Sequence, residues 1–167
     1  ALAVEVVQAP AGSGLAVGGI YVVNPYLSCG HCVACRRGKP NCCANISVLG
    51  VHEDGGMADL LVLPAQNLIA ADGLSVDQCA TVEFLAIGAH AVRRAAVTNL
   101  DRVLVVGAGP IGLGVALFAS LSGGKVALFD LDAERAAKVA SIAGVTALSG
   151  DPTEALQSLT DGEGFDV

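Results

Sequence analysis

The most chemically capable residues of this 167-residue chain are five cysteines that lie close together: Cys29, Cys32, Cys35, Cys42 and Cys43. Two residues between successive cysteines allow a tight turn to direct several thiolates at one point. Zinc accepts four such ligands tetrahedrally at about 2.3 Å, and a four-cysteine site with no open position stabilises structure rather than catalysing a reaction. The spacing therefore predicts a structural zinc bound by the first three cysteines and one of the adjacent pair.

Three alternatives share this spacing. A [4Fe–4S] motif also begins C-x₂-C-x₂-C, but it continues with x₃-C-P, and no cysteine lies four residues after Cys35. A zinc knuckle that grips nucleic acid is supported only by the basic residues Arg36, Arg37 and Lys39. Reduced, unligated thiols are the third alternative, whereas disulfides are disfavoured because the cysteines are too crowded. We favour zinc, since the cluster is dense and local.

A glycine-rich motif, Val106-Gly-Ala-Gly-Pro-Ile-Gly, follows an apolar run and precedes a helical pattern. Gly107 makes the turn, Gly109 lets a pyrophosphate approach the backbone, and Gly112 brings helix against strand. The helix start, with Pro110 and Ile111 in its first turn, offers unpaired N–H groups to phosphates. We therefore predict a dinucleotide site on these five residues; the alternative is a glycine turn that only packs helix on strand.

An acidic residue, Asp130, ends the next predicted strand, roughly 20 residues further on, as dinucleotide-binding folds require. Its carboxylate can accept both ribose hydroxyls of NAD and would repel the extra phosphate of NADP. Asp132 could share this role, and Arg135 could instead bind the added phosphate of NADP. We predict NAD as the cofactor, with Asp130 and Arg135 at its ribose.

The order of predicted elements places these motifs in two domains. Before Ser75, β-rich runs alternate with turns, and strands are predicted at 4–8, 20–24, 57–64 and 67–70. One or two helices, with a kink near Gly88, are expected through Ala96. After Asp101, strands are predicted at 102–106, 125–130, 145–148 and 165–167, and helices at 110–121, 133–143 and 153–159. Such alternation predicts an α/β fold with a doubly wound parallel sheet, and we place the domains at 1–85 and 86–167.

Composition excludes several classes of function. Sixteen acidic residues against nine basic ones give a net charge of −7, and aromatic residues are only 4%, so nucleic acid binding is disfavoured. No apolar run reaches the length of a membrane helix, and the start lacks the pattern of a signal peptide, which predicts a cytoplasmic protein. The apolar fraction of 53% predicts faces buried in a dimer or tetramer.

Taken together, the motifs resemble the zinc-containing medium-chain alcohol and polyol dehydrogenases, closest to the sorbitol-, threonine- and sugar-acid-type enzymes. The resemblance covers nearly the whole chain. It includes these segments: Val22-Val-Asn-Pro-Tyr, the cysteine lobe (residues 29–43), Asp54-Gly-Gly, Val82-Glu-Phe-Leu-Ala, His90-Ala-Val-Arg-Arg-Ala and the glycine motif. It implies an incomplete GroES-like domain followed by part of a Rossmann domain. It also implies that Cys29, Cys32, Cys35 and Cys43 bind the structural zinc, leaving Cys42 outside.

The resemblance further implies a catalytic zinc in the parent protein, and Glu83 is the one residue here that matches a position at that zinc. The cysteine and the Gly-His-Glu motif that supply its other ligands are not in this sequence, which looks like an internal segment lacking both ends. Phe84 replaces the usual neighbouring proline. The implied activity is NAD-linked oxidation of a secondary alcohol in a polyol or sugar acid. The segment alone is expected to be inactive, and the alternative is a non-catalytic dinucleotide-binding module.

Overall fold

A computed structural model describes residues 2–167, without the side chain of Leu156. The chain divides into two units, one extending to Val82 and the other spanning Glu83–Val167. The division falls inside a long helix, three residues before the boundary proposed from the sequence.

The first unit contains a small antiparallel sheet and a separate hairpin. Its strands and helices are β1 (Ala3–Glu5), β2 (Ile20–Val23), β3 (Tyr26–Leu27), α1 (Val33–Arg36), β4 (Ser47–Val48) and β5 (Leu68–Ala70), with one-turn 3₁₀ helices at Pro40–Cys42 and Ala65–Asn67. Strand β2 lies between β1 and β5, and β3 pairs with β4. Three consecutive β2 side chains are buried: Tyr21, Val22 and Val23.

Asn67 connects the end of this sheet to the hairpin. Its side chain is buried, and its amide donates hydrogen bonds to the carbonyls of Asn24 and Tyr26 at 2.8 and 3.0 Å. A buried amide without partners would be unfavourable, so these bonds fix the course of the chain towards the cysteine lobe.

The strand predicted at 57–64 is wrong. Residues 57–63 are irregular, and Met57, Leu60 and Val62 are exposed. The apolar run is typical of a strand, but a strand also needs a neighbour for its backbone N–H and C=O groups. No backbone hydrogen bond joins 57–63 to another described residue.

The second unit contains a parallel sheet with helices. Helix α2 (Val76–Ala95) leads into it, and the elements that follow are β6 (Arg102–Val106), α3 (Pro110–Leu121), β7 (Lys125–Phe129), α4 (Ala133–Ala143), β8 (Thr146–Ala147) and α5 (Pro152–Thr160). The strand order is β6-β7-β8, with parallel pairing throughout. A core of small and branched side chains lies between the sheet and α3 and α4, among them Val103, Val105, Ala116, Leu128 and Ala140.

The last residues run beside β6 on the side away from β7. The amide of Leu104 donates to the carbonyl of Val167 at 2.8 Å, and the amide of Val167 donates to the carbonyl of Arg102 at 3.3 Å. This is the pattern of parallel strands. The chain therefore crosses from the β8 edge to the opposite side of β6, which confirms the predicted doubly wound fold and places the reversal of strand order at β6.

Helix α2 is one continuous helix rather than two. It begins with a reciprocal cap in which the Ser75 hydroxyl accepts from the Gln78 amide and the Gln78 side chain accepts from the Ser75 amide. Gly88 does not interrupt it but allows close approach to α3, because an added Cβ would lie 2.4 Å from the carbonyl carbon of Gly114.

This close approach gives a first prediction. Gly88→Ala should destabilise the second unit by about 1–3 kcal/mol through overpacking, although alanine favours helix formation. Urea denaturation followed by circular dichroism measures the change. Ala91→Gly, at an exposed position of the same helix, is the control and reports the propensity effect alone, about 1 kcal/mol. A stabilised Gly88→Ala protein would show that the two helices do not touch there.

No helix within residues 2–167 combines the length and apolar character needed to cross a bilayer.

Candidate metal centre and dinucleotide-binding site

The cysteine lobe is shaped by two short turns rather than by a core. Cys32 precedes the single turn of α1, so Cys32 and Cys35 lie one turn apart on the same side. The 3₁₀ helix Pro40–Cys42 then returns the chain, and Cys43 follows it directly. Neither α1 nor this 3₁₀ helix contains a buried residue.

The structure gathers four of the five cysteine sulfurs. The Sγ atoms of Cys29, Cys32, Cys35 and Cys43 all lie within 4.8 Å of one another. Three of the separations are 3.5 Å for Cys32–Cys35, 3.5 Å for Cys29–Cys43 and 3.9 Å for Cys32–Cys43. A tetrahedron with bonds of 2.3 Å has sulfur–sulfur edges of about 3.8 Å, so the spacing fits a zinc ion, while disulfides would need about 2.05 Å.

Backbone N–H groups also point at these sulfurs. The amides of Cys29 and Asn45 both donate to Cys43 Sγ at 3.4 Å. Amides of His31 and Cys32 lower the pKa of Cys29 to about 6, whereas burial and the neighbouring Cys32 thiol raise the pKa of Cys35 to about 11.

Cys42 lies outside this group. It is exposed, and its sulfur accepts from the side-chain Nδ2 of Asn41 at 3.4 Å. His31 is also on the outside of the lobe, where its ring Nδ1 lies 2.7 Å from the carbonyl oxygen of Cys29. Spacing alone left open whether Cys42 or Cys43 accompanies the first three cysteines, and in the structure the Cys43 sulfur lies with theirs.

The glycine turn follows the carboxyl end of β6. Gly107 has φ +101°, which favours glycine, and its amide donates to the carbonyl of Phe129 at 2.7 Å. Gly112 must lack a side chain because a Cβ would lie 1.8 Å from the carbonyl oxygen of Gly107. The start of α3 can therefore lie this close to the turn after β6 only with glycine at position 112.

Gly109 differs from its neighbours. Its backbone is extended, at φ −76° and ψ −179°, and no heavy atom lies within 4 Å of an added Cβ. Neither conformation nor packing within the protein therefore requires glycine. The space beside Gly109 is therefore open, and it adjoins the start of α3, where Pro110 and Ile111 form the first turn.

Asp130 connects the glycine turn to the next helix. One carboxylate oxygen, Oδ2, accepts from the Ala108 amide at 2.7 Å, and the other, Oδ1, accepts from the Asp132 amide at 2.9 Å. Arg135 adds Nη2 to Oδ1 at 2.6 Å and Nε to Oδ2 at 3.3 Å. The Arg135 guanidinium, aided by these two amides, holds the pKa of Asp130 well below its usual range. The bond to Ala108 was not predicted, since no sequence pattern reports a side-chain bond to a distant backbone group.

Glu83 does not belong to a second metal cluster. It is half-buried on α2, and the four cysteines form the only group of three or more metal-binding side chains within residues 2–167. Two histidines and the sixth cysteine have local partners or burial of their own: His90 contacts Arg93, His52 accepts from the Val48 amide, and Cys79 is fully buried.

A closed thiolate cage in one unit and a dinucleotide-type glycine turn in the next define the class of zinc-containing dehydrogenases with a GroES-like domain. Residues 2–73 match the alcohol dehydrogenase GroES-like domain. This match and the similarity to curated dehydrogenases confirm the resemblance to the zinc-containing medium-chain alcohol and polyol dehydrogenases that the sequence indicates.

Three known proteins show the extent of the similarity. The chain is 49% identical to L-galactonate-5-dehydrogenase of Escherichia coli K12 over 71% of its own length and 35% of that protein. It is 34% identical to L-threonine 3-dehydrogenase of Pyrococcus horikoshii over 98% of its length and 48% of that protein. The crystal structure of the alcohol dehydrogenase RspB of E. coli CFT073 with NADH superposes with a TM-score of 0.75 at 35% identity, covering 87% of this chain and 44% of RspB. The chain thus spans between a third and a half of the length of these relatives.

Proposed function

We propose that this chain is the zinc-stabilised, NAD-binding part of a dehydrogenase that oxidises a secondary alcohol of a polyol or sugar acid. The observation that carries the proposal is that one chain contains both the four-sulfur cage and a glycine turn bonded to an acidic residue at the reversal point of a parallel sheet. The similarity to an L-galactonate-5-dehydrogenase supports a small sugar acid as the substrate class.

Zinc in the cage has a structural role. Cys29, Cys32, Cys35 and Cys43 supply four sulfur ligands and leave no position for a substrate or water. The ion would hold together a lobe that has no buried core of its own, and it would take no part in the oxidation.

The dinucleotide lies across the carboxyl end of β6. Gly107 makes the turn, and Gly109 lets the pyrophosphate approach the backbone. Pro110 starts α3, and the backbone N–H groups of Ile111 and Gly112 in its first turn bind the pyrophosphate. Asp130 accepts the ribose hydroxyls, and its negative charge disfavours the added phosphate of NADP. NAD, when bound, accepts the hydride that leaves the alcohol carbon.

Within residues 2–167, Glu83 belongs to no group of three or more metal-binding side chains, whereas a catalytic zinc needs at least three protein ligands. We therefore propose that residues 1–167 bind NAD but do not oxidise alcohols by themselves. The same observation favours a second candidate function, a non-catalytic dinucleotide-binding module. Sequence upstream in the gene separates the two, since a cysteine and a Gly-His-Glu motif there would complete the enzyme.

Exposed apolar side chains of the first unit, including Met57 and Val62, would suit burial against a second copy. We propose that the parent protein is a dimer or tetramer that acts on small molecules.

The proposed function is tested by NAD titration and by turnover. We expect the zinc-loaded chain to bind NAD in isothermal titration calorimetry and to show no NADH absorbance change at 340 nm with a panel of polyols, sugar acids and threonine. Absence of NAD binding would overturn the cofactor assignment. Turnover by the 167-residue chain would overturn its proposed inactivity.

A further inference from the structure

The Arg135 guanidinium binds the Asp130 carboxylate, which is the group proposed to bind the cofactor ribose. Its Nη2 and Nε donors contact one oxygen each of Asp130, at 2.6 and 3.3 Å. The Asp130 side chain is only 9% exposed, whereas that of Arg135 is 53% exposed. The acceptor is thus fixed and nearly covered, and the donor lies at the rim with room to move.

The hydrogen bonds of Asp130 leave no free acceptor position while Arg135 is in place. An ionised carboxylate has about four lone-pair sites. Backbone amides of Ala108 and Asp132 take one on each oxygen, and Arg135 takes the remaining one on each. A ribose diol also supplies two O–H donors, so it competes with Arg135 for the same two positions.

The two amide bonds already orient the carboxylate without Arg135. One comes from the glycine turn and the other from the residue that caps α4, and both are backbone groups. Removing the guanidinium would therefore leave Asp130 in place but free two acceptor positions. Arg135 is not required as a support.

We propose that Arg135 is an exchangeable latch, which replaces the ribose diol on Asp130 in the free protein and is displaced when NAD binds. This inference rests on the proposed function. After displacement the side chain stays at the ribose rim, because the Arg135 amide is fixed by the cap from Asp132. There the guanidinium could pair with a 2′-phosphate, so the Asp130–Arg135 pair, and not Asp130 alone, sets the preference between NAD and NADP.

NAD must break the Arg135–Asp130 ion pair before it binds. The pair therefore weakens NAD affinity by the equilibrium constant for forming it in the free protein. For a partly exposed pair this factor is about two- to fivefold. Loss of the guanidinium should instead weaken NADP binding, because the 2′-phosphate would lose a charge-assisted hydrogen bond. The affinity for NADP should fall roughly tenfold or more.

The test compares Arg135→Ala with Lys138→Ala in the zinc-loaded chain. Lys138 is an exposed cation one turn further along α4, so its removal reports the general effect of lost charge. Calorimetric titration with NAD and NADP should show Arg135→Ala binding NAD about two- to fivefold more tightly and NADP more weakly, while Lys138→Ala shifts both alike. In the wild type, the ¹⁵N resonance of Arg135 Nε should move when ADP-ribose, the part of NAD that carries this ribose, is added.

Other outcomes overturn the latch in distinguishable ways. Equal weakening of NAD and NADP by Arg135→Ala would mean that the guanidinium contacts the bound cofactor or supports the fold. Unchanged affinities, or an unshifted Nε resonance on saturation, would mean that no exchange occurs. If the wild type binds neither dinucleotide, the proposed function fails and the latch fails with it, whereas the first two results overturn the latch alone.

Discussion

Replacing Cys43 with serine is expected to release the metal and unfold the lobe spanning residues 29–43. Cys43 is the buried member of the cage, and its sulfur accepts two backbone amides and lies within 4 Å of the sulfurs of Cys29 and Cys32. Because α1 and the Pro40–Cys42 turn bury no side chain, no hydrophobic core would hold them once the metal is lost. We expect a loss of more than about 4 kcal/mol, as for other removals of structural metals.

The measurement is zinc per chain by plasma mass spectrometry, together with urea denaturation. Cys42→Ser is the matched control, since Cys42 is the neighbouring residue, exposed and outside the cage. It should retain one zinc and wild-type stability. A Cys43→Ser protein that keeps its zinc, or equal damage from both variants, would show that the cage is assigned to the wrong sulfurs.

Replacing Gly109 with valine is expected to abolish dinucleotide binding while leaving the fold intact. The extended backbone at Gly109 is favourable for valine, and no protein atom lies within 4 Å of the new Cβ. The side chain would instead fill the space into which the pyrophosphate must come. We expect NAD affinity to fall by about a hundredfold, equivalent to about 2.7 kcal/mol.

Calorimetric titration with NAD and thermal unfolding together test this prediction. Gly112→Ala is the contrasting variant, because its Cβ would lie 1.8 Å from the carbonyl oxygen of Gly107. Gly112→Ala should lower the unfolding temperature, and its NAD affinity should fall only because the fold is destabilised. If Gly109→Val binds NAD like the wild type, the pyrophosphate does not lie at this turn.

The elements of the second unit were well predicted from sequence because local signals mark their ends. The helix predicted at 133–143 begins after the Asp132 cap and ends at Gly144, whose φ is +67°. Pro110 marks the start of α3 in the same way. Caps and glycines act within a few residues, so the sequence reports them directly.

Features that depend on distant residues were not predictable. The run 57–63 has the composition of a strand, yet a strand forms only where another strand lies beside it. Gly88 was taken for a kink, whereas its role is a contact with Gly114 on another helix. The bonds on Asp130 likewise depend on a backbone amide of the distant glycine turn and on the conformation of the Arg135 side chain.

In the candidate sites, too, the features set by nearby residues were predictable and those set by distant residues were not. Spacing predicted which cysteines come together because all four lie within one local loop, and the structure adds that Cys43 and not Cys42 faces the other sulfurs. The position of Asp130 was predicted by its distance from the glycine turn, but its pairing with Arg135 was not. The metal and cofactor ligands themselves stay predictions until they are measured.

X-ray absorption spectroscopy at the zinc and iron K edges of the purified chain identifies the metal bound by the four cysteines and its ligands. We expect one zinc per chain with four sulfur ligands at about 2.3 Å and no nitrogen or oxygen ligand. Iron in place of zinc, or a first shell that includes nitrogen or oxygen, would contradict it.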